Sequence, residues 1–164
     1  KILYNKFKDN KNISICTKAI FSKNQKKNFY FVKEASISKL GKHWASGIGS
    51  FDKQHIINHK SKRFNIQEID IDSIEVDFIT FDNLIEEYKI KKIDILQIDV
   101  EGAEYEILNT INFKNIEINA IQFESKHFDG TFTVGHKLNL IKDKLIENGY
   151  KLIQLDEENI LAKK

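Results

Sequence analysis

Apolar residues keep two different rhythms along the chain. In the first half they come in short alternating runs; after Thr80 strand-like and helical spacings take turns. "KILYNKFKDN" reads as the last turns of a helix, with Ile2, Leu3 and Phe7 on one side and a polar exit at Asp9 and Asn10. "NISICTKAIF" supplies a strand over residues 13 to 20. "KNFYFVKE" and "IDSIEVDFITF" are β segments; in the second, Ile74, Val76 and Phe78 alternate with polar partners, which suits antiparallel pairing as an inserted β hairpin. Between them lies "KLGKHWASGIGSFDKQHIINHK", whose glycines and mixed content predict a long loop of the kind that carries function or moves.

From Thr80 onward helices and strands alternate. "FDNLIEEY" is a short helix, residues 93 to 100 a strand, 102 to 111 a helix and 118 to 125 a buried strand. "HKLNLIKDKLIENG" places Leu138, Ile141 and Leu145 on one helical face, with Gly149 as the left-handed residue that ends it. "YKLIQL" and "NILAKK" close the chain as an antiparallel hairpin around Asp156 to Glu158. This alternation predicts an α/β fold with a mainly parallel sheet and a ligand at the strands' C-terminal ends.

The composition bounds the class. With 164 residues, 41% hydrophobic and 30% charged, one globular domain with one core is expected. The apolar runs are too short for a membrane span or a signal peptide, so the expected compartment is the cytoplasm. Cys16 is alone, which excludes an internal disulfide framework; its apolar setting predicts a small buried hydrophobe. The net charge of +2 hides an asymmetry: residues 1 to 63 carry fifteen basic residues against three acids, and the remainder eleven against twenty-one. A basic segment can attract an anionic substrate or surface, or simply the acidic half. Arg63 is the only arginine, the residue type that forks onto phosphates and bases, so no nucleic-acid partner is expected.

The densest chemistry lies at "KIDILQIDVEGAEYEIL", residues 92 to 108, where strand gives way to helix and Asp99, Glu101 and Glu104 crowd the changeover. "FITFDNLIEEYKIKKIDILQIDVEGAEYEIL" resembles the FkbM family of S-adenosylmethionine-dependent methyltransferases, with Gln97 where the family usually has lysine. "NISICTKAIFS", "GIGSF", "IQFES" and "ENGYKLI" extend the resemblance over essentially the whole chain. It implies a Rossmann-like class I methyltransferase sheet of order 3-2-1-4-5-7-6, with residues 13 to 20 as the third strand and 93 to 100 as the fourth. The first two strands and the glycine-rich cofactor loop have no counterpart here, and the chain contains no Met. A single methyltransferase domain over residues 1 to 164, truncated at its N-terminus, is therefore expected; alone it should be inactive and bind cofactor weakly.

The resemblance also implies roles. The cofactor is S-adenosylmethionine, and the reaction is methyl transfer to a hydroxyl of a sugar, glycan or natural product, an acceptor that could be anionic. Asp99 is the candidate to face the sulfonium end or the acceptor hydroxyl; alternatively it caps the following helix. Glu101 has a line to the pocket, whereas Glu104 suits the helix dipole. Glu124 and His127 follow the next strand, where a histidine could take the acceptor's proton or lie as a surface loop residue. Lys18 and Ala19 fall beside the cofactor's adenine. Trp44 and Ser50, with His43, could form a lid over the acceptor; Trp44 could equally be a packing anchor. His55 and His59 have no acidic partner at ligand spacing and are read as structural. No histidine accompanies Asp99 and Glu101 in that way either, so no metal is expected. A non-catalytic α/β module binding a nucleotide or a protein is the competing reading, kept open by the missing glycine loop.

Overall fold

The computed structural model describes residues 2–40, 47–58, 66–100, 102–129 and 133–164. A short helix, α1 (Ile2–Phe7), precedes β1 (Ala19–Ile20), β2 (Gln25–Val32), α2 (Glu34–Leu40), β3 (Gly49–Ser50), α3 (Lys53–Asn58) and β4 (Ile71–Ile79). Then follow α4 (Phe81–Glu87), β5 (Lys92–Ile98), α5 (Glu104–Thr110), β6 (Glu117–Glu124), α6 (Gly135–Glu147), β7 (Lys151–Gln154) and β8 (Asn159–Lys163). The fold is mixed α/β. Instead of one mainly parallel sheet, the described residues form two mixed four-stranded sheets, ordered β1-β4-β2-β3 and β5-β6-β8-β7.

In the first sheet β2 and β4 pair antiparallel from Gln25 opposite Phe78 to Val32 opposite Ile71, as the alternation predicts. They are not a tight hairpin, because α2, β3 and α3 lie between them in sequence. The long loop is therefore partly helical: α3 turns Ile56 into a small core with Val32, Ile66 and Ile71. Of the strand expected over residues 13 to 20, only Ala19 and Ile20 pair, parallel to Phe78 and Ile79 of β4. Residues 13 to 18 find no ladder partner among the described residues, and a strand's backbone groups need one. Cys16 is half-buried rather than enclosed.

The second sheet follows the sequence closely. β5 and β6 run parallel, β8 lies antiparallel between β6 and β7, and this order is that of the 4-5-7-6 portion the resemblance implies. The parallel pair buries Ile98, Ile118, Ile121 and Phe123, and α5 and α6 bring Ile107, Leu108, Leu138, Ile141 and Leu145 to the same core. Polar groups inside this core find partners. Tyr150 donates its hydroxyl to the Ile118 carbonyl at 2.7 Å, and burial pushes its pKa up to about 12. Lys144 of α6 donates to the Leu108 and Asn109 carbonyls at 3.2 and 2.6 Å, satisfying the C-terminal end of α5; burial draws its pKa down. No helix among the described residues is long and apolar enough to cross a membrane.

Candidate functional site

Between the two sheets lies a cavity of about 490 Å³. Lys18, Ala19 and Ile20 at the end of β1, with Phe29 and Phe51, form one wall; Leu96, Ile98, Asp99, Ala103 and Ile107 form the other. Most of that lining is apolar, with Asp99 and Lys18 the charged residues at its edge. The lysine is committed elsewhere: its Nζ donates to Glu87 of α4 at 2.6 Å, which raises its pKa, so its stem faces the cavity while its charge is paired. The cavity lies along β1 and at the C-terminal end of β5, the strand end at which α/β folds place ligands.

The turn from β5 into α5 is shaped by one carboxylate. Glu104, 1% exposed, accepts a hydrogen bond from the Val100 amide through Oε1 and one from the Gly102 amide through Oε2, both at 2.9 Å. Gly102 has φ +116°, a conformation that a side chain would strain, so the glycine of the motif is a geometric requirement of this turn. α5 begins with Ala103 at its N-cap position and no side-chain cap bond. The alternative role for Asp99, helix cap, is thereby removed. The amides that Asp99 might have satisfied are held by Glu104 instead, and the Asp99 carboxylate is exposed at the cavity.

Asp99, Glu104 and Glu124 converge: one oxygen from each lies within 4.8 Å of the others. Glu124, at the end of β6, is 8% exposed and pairs with Lys126 at 2.5 Å; Lys126 also reaches Glu158, in the turn before β8, at 3.3 Å. Three carboxylates in a largely buried cluster leave negative charge facing the cavity side, because Glu104 is answered by neutral amides and Lys126 is shared. Such a field favours a positively charged ligand group at Asp99. All-oxygen donors are also the type that hard divalent cations take, although the two buried members are already engaged by protein donors.

Around this cluster the structure sorts the residues singled out by sequence. Asp99, Lys18 and Ala19 line the cavity, and Glu124 backs Asp99. His127 is 2% exposed, so it is no surface loop residue. Ser50 does not line the cavity; it sits in β3 opposite Tyr30, and its Oγ accepts the Asp52 amide at 3.1 Å. Its neighbour Gly49 lies on the wall instead. Glu101, Trp44, His43 and His59 fall outside the described residues. Sequence reasoning passed over Lys126, which pairs with Glu124 and is shared with Glu158, and it set aside His55, which is buried beside His127. A lone lysine two residues past a strand carries no signal of its own, and pairing across the sheet to the β7–β8 turn is visible only in three dimensions.

No curated protein and no solved structure matches this chain. The Methyltransferase FkbM domain matches it over residues 5–152, from within α1 to within β7. That span takes in both cavity walls, the Glu104-held turn and the carboxylate cluster, so the assignment covers the site as well as the scaffold. The chain belongs to the FkbM methyltransferase domain family.

Proposed function

We propose that this protein is an S-adenosylmethionine-dependent O-methyltransferase acting on a hydroxyl of a sugar, glycan or natural product. Family membership supports methyl transfer in general. The observation that carries the finer reading is the position of Asp99: an exposed carboxylate at the rim of an apolar cavity, backed by two buried carboxylates. An apolar slot suits a flat adenine, and a net negative rim suits a sulfonium; the residues present fit the cofactor. When bound, the cofactor supplies an electrophilic methyl group.

This chain's residues then have three tasks. Ala19 and the Lys18 stem offer the adenine side of the slot, and Ile98 and Ala103 its floor. Asp99 orients the acceptor or stabilises the cationic end, since in-line transfer from sulfonium to oxygen depends mainly on alignment. His127, buried after β6 close to the same turn, is the candidate to accept the hydroxyl proton. We place the cofactor beside Lys18, Ala19 and Asp99.

Nuclear magnetic resonance titration of the chain with S-adenosylmethionine tests the site. Signals of Ala19, Val100 and Ala103 should shift, with a dissociation constant on the order of 1 mM or weaker. Signals that stay fixed at saturating cofactor would remove the site. In the natural gene product, methyl transfer to hydroxyl but not amine acceptors is the expected activity. Binding without transfer to any acceptor would favour the competing, non-catalytic nucleotide-binding module.

A further inference from the structure

α3 has two buried side chains, and they serve different halves of the molecule. Ile56 enters the small core under the first sheet. His55, one residue earlier and so about 100° round the helix, leaves that core. Its ring meets the ring of His127 edge-on, with centroids 5.2 Å apart and planes at 73°. Its Cε1 also lies 3.9 Å from the point a Cβ on Gly102 would occupy, and the Cβ of His127 is 3.9 Å from the same point. A helix from the basic first half is thus built into the turn that presents Asp99, at 7% exposure for His55.

We propose that His55 is a positioning residue for methyl transfer, its ring fixing the orientation of His127 beside the Gly102 turn. The inference rests on the reading of His127 as proton acceptor. In that step the acceptor oxygen donates an electron pair to the methyl carbon, and the carbon–sulfur bond breaks with its pair going to sulfur. The hydroxyl proton passes to a ring nitrogen of His127. A base contributes only when its nitrogen lies within hydrogen-bond reach of that proton, so a ring free to turn about χ1 would lose much of its effect. An edge-to-face neighbour restricts that rotation.

The test compares His55→Ala and His55→Gln, which remove the ring, with His55→Phe, which keeps an edge-on ring. Three-bond couplings across χ1 of His127 are measured on the 164-residue chain, and turnover on the natural gene product. The couplings should show one rotamer in the wild type and in His55→Phe, and averaged values in the other two; His55→Gln carries the comparison if the alanine variant does not fold. Turnover should fall at least about tenfold in the ring-removing variants with the KM for cofactor unchanged, and recover in His55→Phe. A single His127 rotamer in both ring-removing variants overturns the proposal, as does unchanged turnover despite averaged couplings. A wild-type gene product that transfers no methyl group, with couplings behaving as expected, would instead show that the functional reading has failed, and with it the catalytic purpose of the contact.

Discussion

Sixteen buried side chains form one cluster between the second sheet and its helices, whereas the cluster of the first sheet among the described residues holds four. Phe81, Ile98 and Ile107 of the larger cluster line the cavity, and no described residue of the smaller one does. The larger core holds the end of β5 and the Glu104 turn, where displacement of Asp99 would undo the chemistry. The smaller core joins α3 to β2 and β4.

Deleting core volume should expose the asymmetry most strongly. Phe123, fully buried in β6, is expected to cost about 3–5 kcal/mol on substitution by alanine. Ile56→Ala, equally buried, should cost about 2 kcal/mol, the low end for an isoleucine, because a four-residue cluster closes up more readily. Thermal unfolding gives the totals, and amide hydrogen exchange shows where protection is lost. Ile56→Ala should lower it in β2 and β4 and leave β6 protected. Equal loss in β6 would mean that the two halves unfold as one unit and that the comparison has no energetic content.

A smaller effect belongs to Glu104. Glu104→Gln keeps the side chain's size but turns one acceptor oxygen into a donor, leaving either the Val100 or the Gly102 amide unanswered. An unpaired amide costs most when buried, and these part-buried ones should cost about 1 kcal/mol. The loss should be local: faster exchange at Val100 and Gly102, with the β6–β8 ladder unaffected. Unchanged exchange at both amides would show that the carboxylate does not hold the turn.

The second sheet was legible in the sequence because each of its signals is local. Short strands rich in isoleucine, a helical spacing and Gly149, which does adopt positive φ, specify neighbouring pieces, and short connections leave few ways to join them. The first sheet was less legible. β2 and β4 carry the right alternation, but the segment between them hides two short helices among polar residues, below the length at which periodicity speaks. Asp99 was found because a motif marks it. Glu104 was read as a dipole partner because its spacing from Val100 and Gly102 says nothing about a side chain folding back onto the preceding turn. His55 was set aside for want of an acidic neighbour at helical spacing; its partner, His127, is 72 residues away and no one-dimensional rule pairs them.

The smallest change in stability should accompany Asp99→Asn. Asp99 is exposed and caps no helix, so the substitution removes a charge without opening a void or stranding an amide. It also relieves repulsion from Glu104 and Glu124, whose oxygens lie within 4.8 Å. The melting temperature should therefore stay level or rise slightly. If Asp99 orients the acceptor or faces the sulfonium, turnover in the natural gene product should fall by about a hundredfold, because the asparagine amide carries no negative charge at the cavity rim. Stability and turnover moving in opposite directions would mark Asp99 as a residue kept for chemistry, in a region otherwise built for rigidity. Full turnover in the variant would mean that the carboxylate cluster serves only to fix the turn, and that another residue orients the acceptor or faces the sulfonium.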